Sequence, residues 1–186
     1  LKSKFNKEAI PPSRFNIETI SGFFQRYVLA FYTGGDLPPQ DDKTFHAAIT
    51  EKALPIFQKK LTQAVLMASY SGIFIDEYQD CSVAQHRALM EMATNIPCHV
   101  LGDPLQGIFD FNDEIVNFER DLAGFTRFPQ LPTPHRWESN GNNEKLGSLI
   151  VKIRNSLEAG KPIVLRDGTD ANDGRHLVDS TGQDFN

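Results

Sequence analysis

Two acidic residues follow a short hydrophobic run near the middle of the chain. The run Gly72–Ile75 is unbroken and ends in Asp76 and Glu77, which predicts a parallel strand buried on both faces. Open α/β sheets bind ligands at the carboxyl ends of such strands. An aspartate there can hold Mg²⁺, and a neighbouring glutamate can deprotonate a water for attack on a phosphate. The plain alternative is a strand that ends in two solvated acids.

A second strand of the same kind is predicted one helix later. Pro97–Leu101 is apolar except for His99 and runs into the segment 102–106, GDPLQ. Ser82 and Gln85 form a capping box that opens the intervening helix. The whole has the length of a βαβ unit, and parallel pairing would bring GDPLQ beside the earlier acid pair. The Gln106 amide could then bind a phosphate oxygen or the attacking water. Taken alone, GDPLQ is equally compatible with a proline-containing turn.

Helical periodicity accounts for most of the remaining apolar residues. The predicted elements are a helix over 17–31, helical pattern over 44–68 interrupted at Pro55, a helix near 114–123, a strand near 126–131 and an amphipathic helix over 146–157. The predicted organisation is a helical part at 1–35, a helical insert at 36–70, an α/β core at 71–140, and the start of a second domain with a loose tail at 141–186.

Composition excludes several classes of protein. No stretch approaches the roughly 18 consecutive apolar residues of a membrane span, and the chain does not start like a signal peptide, so we expect a cytoplasmic protein without a membrane partner. Two cysteines make neither a disulfide framework nor a zinc site. Residues 61–130 carry three Lys/Arg against ten Asp/Glu, a surplus that suits a bound cation. Because the first residue is Leu1, we expect a piece of a longer protein.

Two segments together resemble the motifs of a known family. IFIDEYQD at 73–80 and LGDPLQGIFDF at 101–111 are similar to motifs II and III of the UvrD/Rep-like superfamily 1 DNA helicases. The patterns of these motifs are DExQD, and GDxxQ followed by any residue, then Ile or Val, then an aromatic residue. The spacing between the two segments is also that of the family. Two weaker similarities flank them, since TISGFF at 19–24 resembles motif Ib and TPHRW at 133–137 resembles motif IV.

The resemblance implies a fold and a set of ligands. The fold would be RecA-like, of the P-loop NTPase type, with a parallel sheet flanked by helices and a small helical insert. The parent protein would be an ATP-dependent DNA helicase or translocase that uses ATP and Mg²⁺ and moves on single-stranded DNA or DNA junctions. Repair or nuclease subunits would be further partners, and the location would be the bacterial cytosol, in association with the nucleoid.

The resemblance also assigns roles at the nucleotide. Asp76 would bind Mg²⁺, Glu77 would be the catalytic base and Gln106 would sense the γ-phosphate. Gln79 would lie at the nucleotide site and couple it to neighbouring motifs. Arg136 would be the arginine finger, because a planar guanidinium can neutralise charge that develops on the transferred phosphoryl group. Without motifs II and III, a surface arginine would be the preferred interpretation of that residue.

Three further residues would contact the adenine or the DNA. His135 stands where the family has a tyrosine that stacks on adenine. Phe111 falls where the family carries an aromatic that stacks on single-stranded bases, although it or Phe109 could instead belong to the core. Thr19 would lie near the DNA backbone, and a helix-terminal hydroxyl is its alternative.

The sequence also departs from the family. It contains no Walker A loop, since Gly160-Lys161 is followed by Pro162 in place of Ser or Thr. The domain would therefore be partial, and this segment alone is not expected to hydrolyse ATP. His135 and Asn112 depart from the family's usual residues and favour a second hypothesis, a helicase-like DNA-binding or protein-docking module with a weak or lost ATPase. A third is a different phosphohydrolase that uses the acid pair.

Overall fold

Helices and a small parallel sheet make up the computed structural model, which describes residues 10–35, 37–107, 114–130 and 144–163. In chain order, the elements are α1 (Ile20–Phe31), α2 (Phe45–Phe57), α3 (Lys60–Ser69), β1 (Ile73–Ile75), α4 (Val83–Ala93), β2 (Cys98–Val100), α5 (Phe118–Asp121) and α6 (Glu144–Glu158). Single 3-10 turns occur at Pro12–Arg14, Tyr78–Asp80 and Pro104–Gln106. The chain divides into two compact units, Leu1–Phe125 and Thr126–Asn186.

The strand–helix–strand unit is present as the sequence predicted. β1 pairs in parallel with β2, with Ile73 opposite Cys98 and Ile75 opposite Val100. The connecting helix α4 opens with the full capping box, in which the Ser82 side chain accepts from the backbone N–H of Gln85. The fold is thus mixed α/β, with a two-stranded sheet in the described part of the chain.

One cluster of buried apolar side chains joins the helices to the sheet. It includes Phe24 of α1, Ile49 of α2, Leu66 of α3, Ile75 of β1 and Leu89 of α4. Each such side chain contributes roughly 1.5–3 kcal/mol on burial. Residues 37–70 therefore share a core with α1 and the sheet. The boundaries predicted from the sequence at 35, 70 and 140 stay predictions.

The interruption predicted at Pro55 lies a few residues later. Pro55 is inside α2, which ends at Phe57, and α3 begins at Lys60. A proline near a helix end removes one backbone hydrogen bond. In α2 the neighbouring Ile56 and Phe57 are both buried, and their packing holds the last turn in place.

The prediction that β1 is buried on both faces was wrong. The Phe74 side chain is 74% exposed, and its ring stacks on the exposed His99 ring with centroids 4.7 Å apart. The alternate residue Ile75 is buried. The described helices therefore cover one face of the sheet, and no described segment covers the face that carries Phe74.

The region after the sheet also differs from the prediction. Instead of a helix over 114–123, the helix α5 spans four residues, and residues 126–130 form no strand. The segment before α5 runs extended, because Ile115 makes an isolated antiparallel bridge with Ser82. Residues 126–130 are mostly exposed and have no partner strand among the described residues.

In the second unit, α6 is the amphipathic helix that the sequence predicted. It ends at Glu158, and Gly160 follows with a positive φ of 62°, a conformation that glycine adopts at helix ends. None of the helices in the described ranges has both the length and the apolar character needed to cross a membrane.

Candidate functional site

The segments that follow β1 and β2 are hydrogen-bonded to each other. The Leu101 N–H donates to the Ile75 carbonyl over 2.8 Å, and the Tyr78 N–H donates to the Leu101 carbonyl over 2.9 Å. Asp76 and Glu77 lie between these two bonds, and both are exposed. Parallel pairing thus brings the acid pair and the GDPLQ segment to one edge of the sheet, as the sequence predicted.

Glu77 has an unusual backbone conformation. Its φ of 53° and ψ of 43° are left-handed, and it is the only non-glycine residue with a positive φ in the described ranges. That conformation costs an L-residue roughly 1–2 kcal/mol. It turns the chain from β1 into the 3-10 turn Tyr78–Asp80, and the Asp76 carboxylate accepts from the Glu77 N–H over 3.1 Å. Strain of this kind is concentrated at functional sites.

A buried glutamine side chain connects the two segments. Gln79 is 4% exposed, its Nε2 donates to Glu77 Oε2 over 2.7 Å, and its Oε1 accepts from the Asp103 N–H over 2.9 Å. The Asp103 carboxylate in turn accepts from Gln106 Nε2 over 3.0 Å. A continuous chain of bonded residues therefore runs from Glu77 to Gln106.

Gly102 allows this close approach. A Cβ atom at position 102 would lie 2.7 Å from Gln79 Oε1, 2.9 Å from the Tyr78 nitrogen and 3.0 Å from Phe118 Cζ. Real Cβ atoms do not come so close to a neighbouring backbone, so the site requires glycine here. The sequence pattern places Gly102 at the end of a strand and in the GDxxQ segment, but it does not indicate this close contact.

The segment before α5 covers the site from one side. The Val83 N–H donates to the Glu114 carbonyl over 2.8 Å, and the Val116 N–H donates to the Cys81 carbonyl over 3.0 Å. A cleft of about 270 Å³ lies between this segment and the site, lined by Gln79, Pro104, Gly107 and residues 115–118. Residues 114–116 thus pair with residues 81–83, which follow the 3-10 turn Tyr78–Asp80.

A buried tyrosine and a histidine anchor the 3-10 turn to α4. Tyr78 has no exposed surface, and its hydroxyl lies 2.9 Å from His86 Nδ1. Burial raises the pKa of the Tyr78 phenol and lowers the pKa of the His86 imidazole. Both groups are therefore neutral near pH 7, and the tautomer of the imidazole sets which of them donates the hydrogen bond. No periodic pattern in the sequence indicates this pair, because Tyr78 lies in a 3-10 turn and not in a regular helix or strand.

The oxygen ligands at this edge fit a magnesium ion bound together with a phosphate. Asp76 and Glu77 present exposed carboxylates. In the ranges that the structure describes, no group of three or more His, Cys, Asp or Glu residues could hold a metal by itself. Mg²⁺ suits such a sparse set, because it keeps several waters and takes phosphate oxygens as ligands.

Of the other predicted site residues, Thr19 is the one that lies in the described part of the chain. Thr19 caps α1, where its hydroxyl oxygen accepts from the Gly22 N–H over 3.0 Å, so its helix-terminal alternative is confirmed. Phe111, His135 and Arg136 lie outside the described residues. The roles assigned to these four residues stay predictions, as do those of Asp76, Glu77, Gln79 and Gln106.

Comparison with known proteins gives one family. Residues 37–122 match the family model described as the UvrD/REP helicase N-terminal domain. The matched segment contains β1, β2 and the four hydrogen-bonded residues from Glu77 to Gln106. It is less than half of the 186-residue chain. No curated protein and no solved structure gives a significant match. Residues 37–122 are thus similar to the N-terminal domain of the UvrD/Rep helicases, and the match supports the UvrD-like helicase family.

Proposed function

We propose that the chain is part of a RecA-like motor domain of a DNA helicase or translocase that couples ATP hydrolysis to movement on single-stranded DNA. The main support is the bonded chain from Glu77 through Gln79 and Asp103 to Gln106 at the edge of a parallel sheet. A family match alone would support only the class of protein. The bonded chain adds that an acid and an amide are connected at one edge of the sheet, and these are residue types that phosphate hydrolysis uses.

Within this proposal, Glu77 takes a proton from the attacking water. The water oxygen bonds to the γ-phosphorus, and the bond to the bridging oxygen breaks with its electron pair left on ADP. Asp76 would hold Mg²⁺, which when bound neutralises charge on the phosphate oxygens. Gln106 would bind a γ-phosphate oxygen, and its bond to Asp103 limits the positions that its amide can take.

The remaining roles rest on the family resemblance. Arg136 would place its guanidinium on the transferred phosphoryl group, and His135 would stack on the adenine. Phe111 would stack on a base of single-stranded DNA, with Thr19 near the DNA backbone. A base stacked on an aromatic ring contributes roughly 1–3 kcal/mol without regard to sequence, which suits a motor that must pass along any strand.

The test is DNA-stimulated ATP hydrolysis by the full-length protein. We expect Glu77→Gln to lower the rate by about 100-fold or more, because loss of a general base removes about that factor. The matched control is Glu51→Gln, the same change at an exposed glutamate on α2. Its rate should equal that of the wild type. Equal rates for all three proteins would exclude Glu77 as the base.

The same experiment separates the motor from a module without ATPase. A wild-type protein that binds single-stranded DNA and shows no ATP hydrolysis above background would support the helicase-like binding module. ATP hydrolysis that DNA does not stimulate would instead favour a different phosphohydrolase that uses Asp76 and Glu77.

A further inference from the structure

Gln79 is bonded in a way that fixes which end of its amide points to which neighbour. The Asp103 backbone N–H can only donate, and the ionised Glu77 carboxylate can only accept. The amide oxygen must therefore face Asp103 and the amide nitrogen must face Glu77, as their distances of 2.9 Å and 2.7 Å show. Both polar atoms of a side chain that is 4% exposed are thereby occupied.

The two carboxylate oxygens of Glu77 differ in their hydrogen bonding. Oε2 accepts from Gln79, and within the described ranges the carboxylate makes no other hydrogen bond with the protein. We propose that Gln79 is a positioning residue that holds Oε2 of Glu77 and leaves Oε1 to receive the proton of the attacking water. This inference rests on the proposed function, and it replaces a direct nucleotide contact by Gln79 with a contact to the base.

The local backbone supports a positioning role. Glu77 is held in the left-handed conformation, and the lack of a side chain at Gly102 leaves the space that the Gln79 amide occupies. The other hydrogen bond of Gln79 is with the Asp103 N–H, and the Asp103 carboxylate accepts from Gln106. The orientation of the base is thus tied to the predicted phosphate-sensing side chain, and a misplacement of about 1 Å at such a site can cost about 100-fold in rate.

The contact between Gln79 and Glu77 is tested first, by thermal unfolding of the full-length protein without nucleotide. Gln79→Glu has the same shape and can still accept from Asp103, but it places a second carboxylate against Glu77. We expect its Tm to fall by about 2 °C or more. In the double variant Glu77→Gln with Gln79→Glu, the new amide at position 77 can donate to the new carboxylate, and the Tm should recover. A double variant no more stable than Gln79→Glu alone would overturn the contact.

The positioning role is tested by the kinetics of the full-length protein. Gln79→Met removes both bonds with little change in volume, and it should lower kcat for DNA-stimulated ATP hydrolysis by about 10-fold to 100-fold with KM changed much less. In a Glu77→Gln background the same change should have almost no further effect, because the group it positions is gone. Equal losses in the two backgrounds would overturn the positioning role.

A matched control is Gln63→Met. The Gln63 amide also bridges neighbours, since Nε2 donates to the Glu91 carbonyl over 3.0 Å and Oε1 accepts from Asn95 over 2.9 Å. Gln63→Met should lower stability without changing kcat.

The outcomes for the positioning role and for the proposed function can be told apart. If the wild-type protein lacks ATPase activity, the proposed function fails while the unfolding test of the contact between Gln79 and Glu77 stands. If Glu77→Gln is inactive and Gln79→Met is fully active, the positioning role fails and the proposed function stands.

Discussion

Gly102 lies so close to Gln79 that a Cβ atom on it would be 2.7 Å from Gln79 Oε1. This contact brings the end of β2 against the side chain that bridges the two segments of the site. Gln79 would have to move if position 102 carried any side chain, and its bonds to Glu77 and Asp103 would change together.

We therefore expect Gly102→Ala to destabilise the protein. The added methyl group would also meet the Tyr78 backbone nitrogen, which cannot move away like a flexible side chain. Overpacking of this kind costs about 1–3 kcal/mol of unfolding free energy, measured by urea unfolding. Gly124→Ala is the control, because a Cβ at position 124 meets no atom within 4 Å and should cost less than about 0.5 kcal/mol. Equal costs for the two variants would contradict the close contact.

The left-handed backbone of Glu77 gives a second prediction. Both Glu77→Gly and Glu77→Ala remove the carboxylate, so they differ only in their backbone preference. Since φ is 53°, the glycine variant should be the more stable by about 1 kcal/mol in urea unfolding.

The control uses the same two substitutions at Glu51, an exposed position within α2. In a helix interior alanine is favoured over glycine by roughly 0.5–1 kcal/mol, so the order of stability should reverse. If alanine is also the more stable residue at position 77, the left-handed conformation is wrong.

The pairing of the strands could be predicted, but the site within it could not. Two short, mainly apolar runs one helix apart, with the capping box at Ser82, predict a βαβ unit whose paired strands bring residues 76–77 and the segment 102–106 to one edge of the sheet. The bond from Gln79 to Asp103 depends on side-chain rotamers and on the space at Gly102, and neither leaves a periodic trace in the sequence. The Tyr78–His86 pair was missed for the same reason.

The exposure of β1 could not be predicted either, because an apolar run does not indicate how many layers cover a strand. Phe74 and Ile75 are adjacent, yet the first is 74% exposed and the second 6%. We expect Phe74→Thr to cost about 0.5–1 kcal/mol, mainly through its stacking on His99, and Ile75→Thr to cost roughly 2–4 kcal/mol. Threonine suits a strand, so urea unfolding of the two variants compares the loss of each side chain's contacts without a loss of strand propensity. A cost above about 2 kcal/mol at Phe74 would show that another segment covers this face.

The hydrogen bond between Tyr78 and His86 predicts a dependence of stability on pH. Burial lowers the His86 pKa below its usual 6.5, and nearby Arg87 and Arg120 act in the same direction, whereas Asp121 opposes them. Between the folded and unfolded pKa values the unfolded chain binds more protons, so stability is lost as the pH falls through about 6.5 toward the folded pKa. A protonated imidazole can only donate, so the Tyr78 hydroxyl would then have to accept the hydrogen bond.

The matched variant is His86→Asn, whose side-chain oxygen can accept from Tyr78 but does not titrate in this range. Urea midpoints should be compared between about pH 7.5 and about pH 5.5, where histidine is the side chain whose ordinary pKa lies within the range. We expect the midpoint of the wild type to fall more steeply on acidification than that of the variant, with similar values at the upper pH. Because carboxylates that titrate are common to both proteins, the difference in slope belongs to His86. Parallel slopes would mean that His86 has the same pKa in the folded and unfolded chains, and that burial does not suppress its charge.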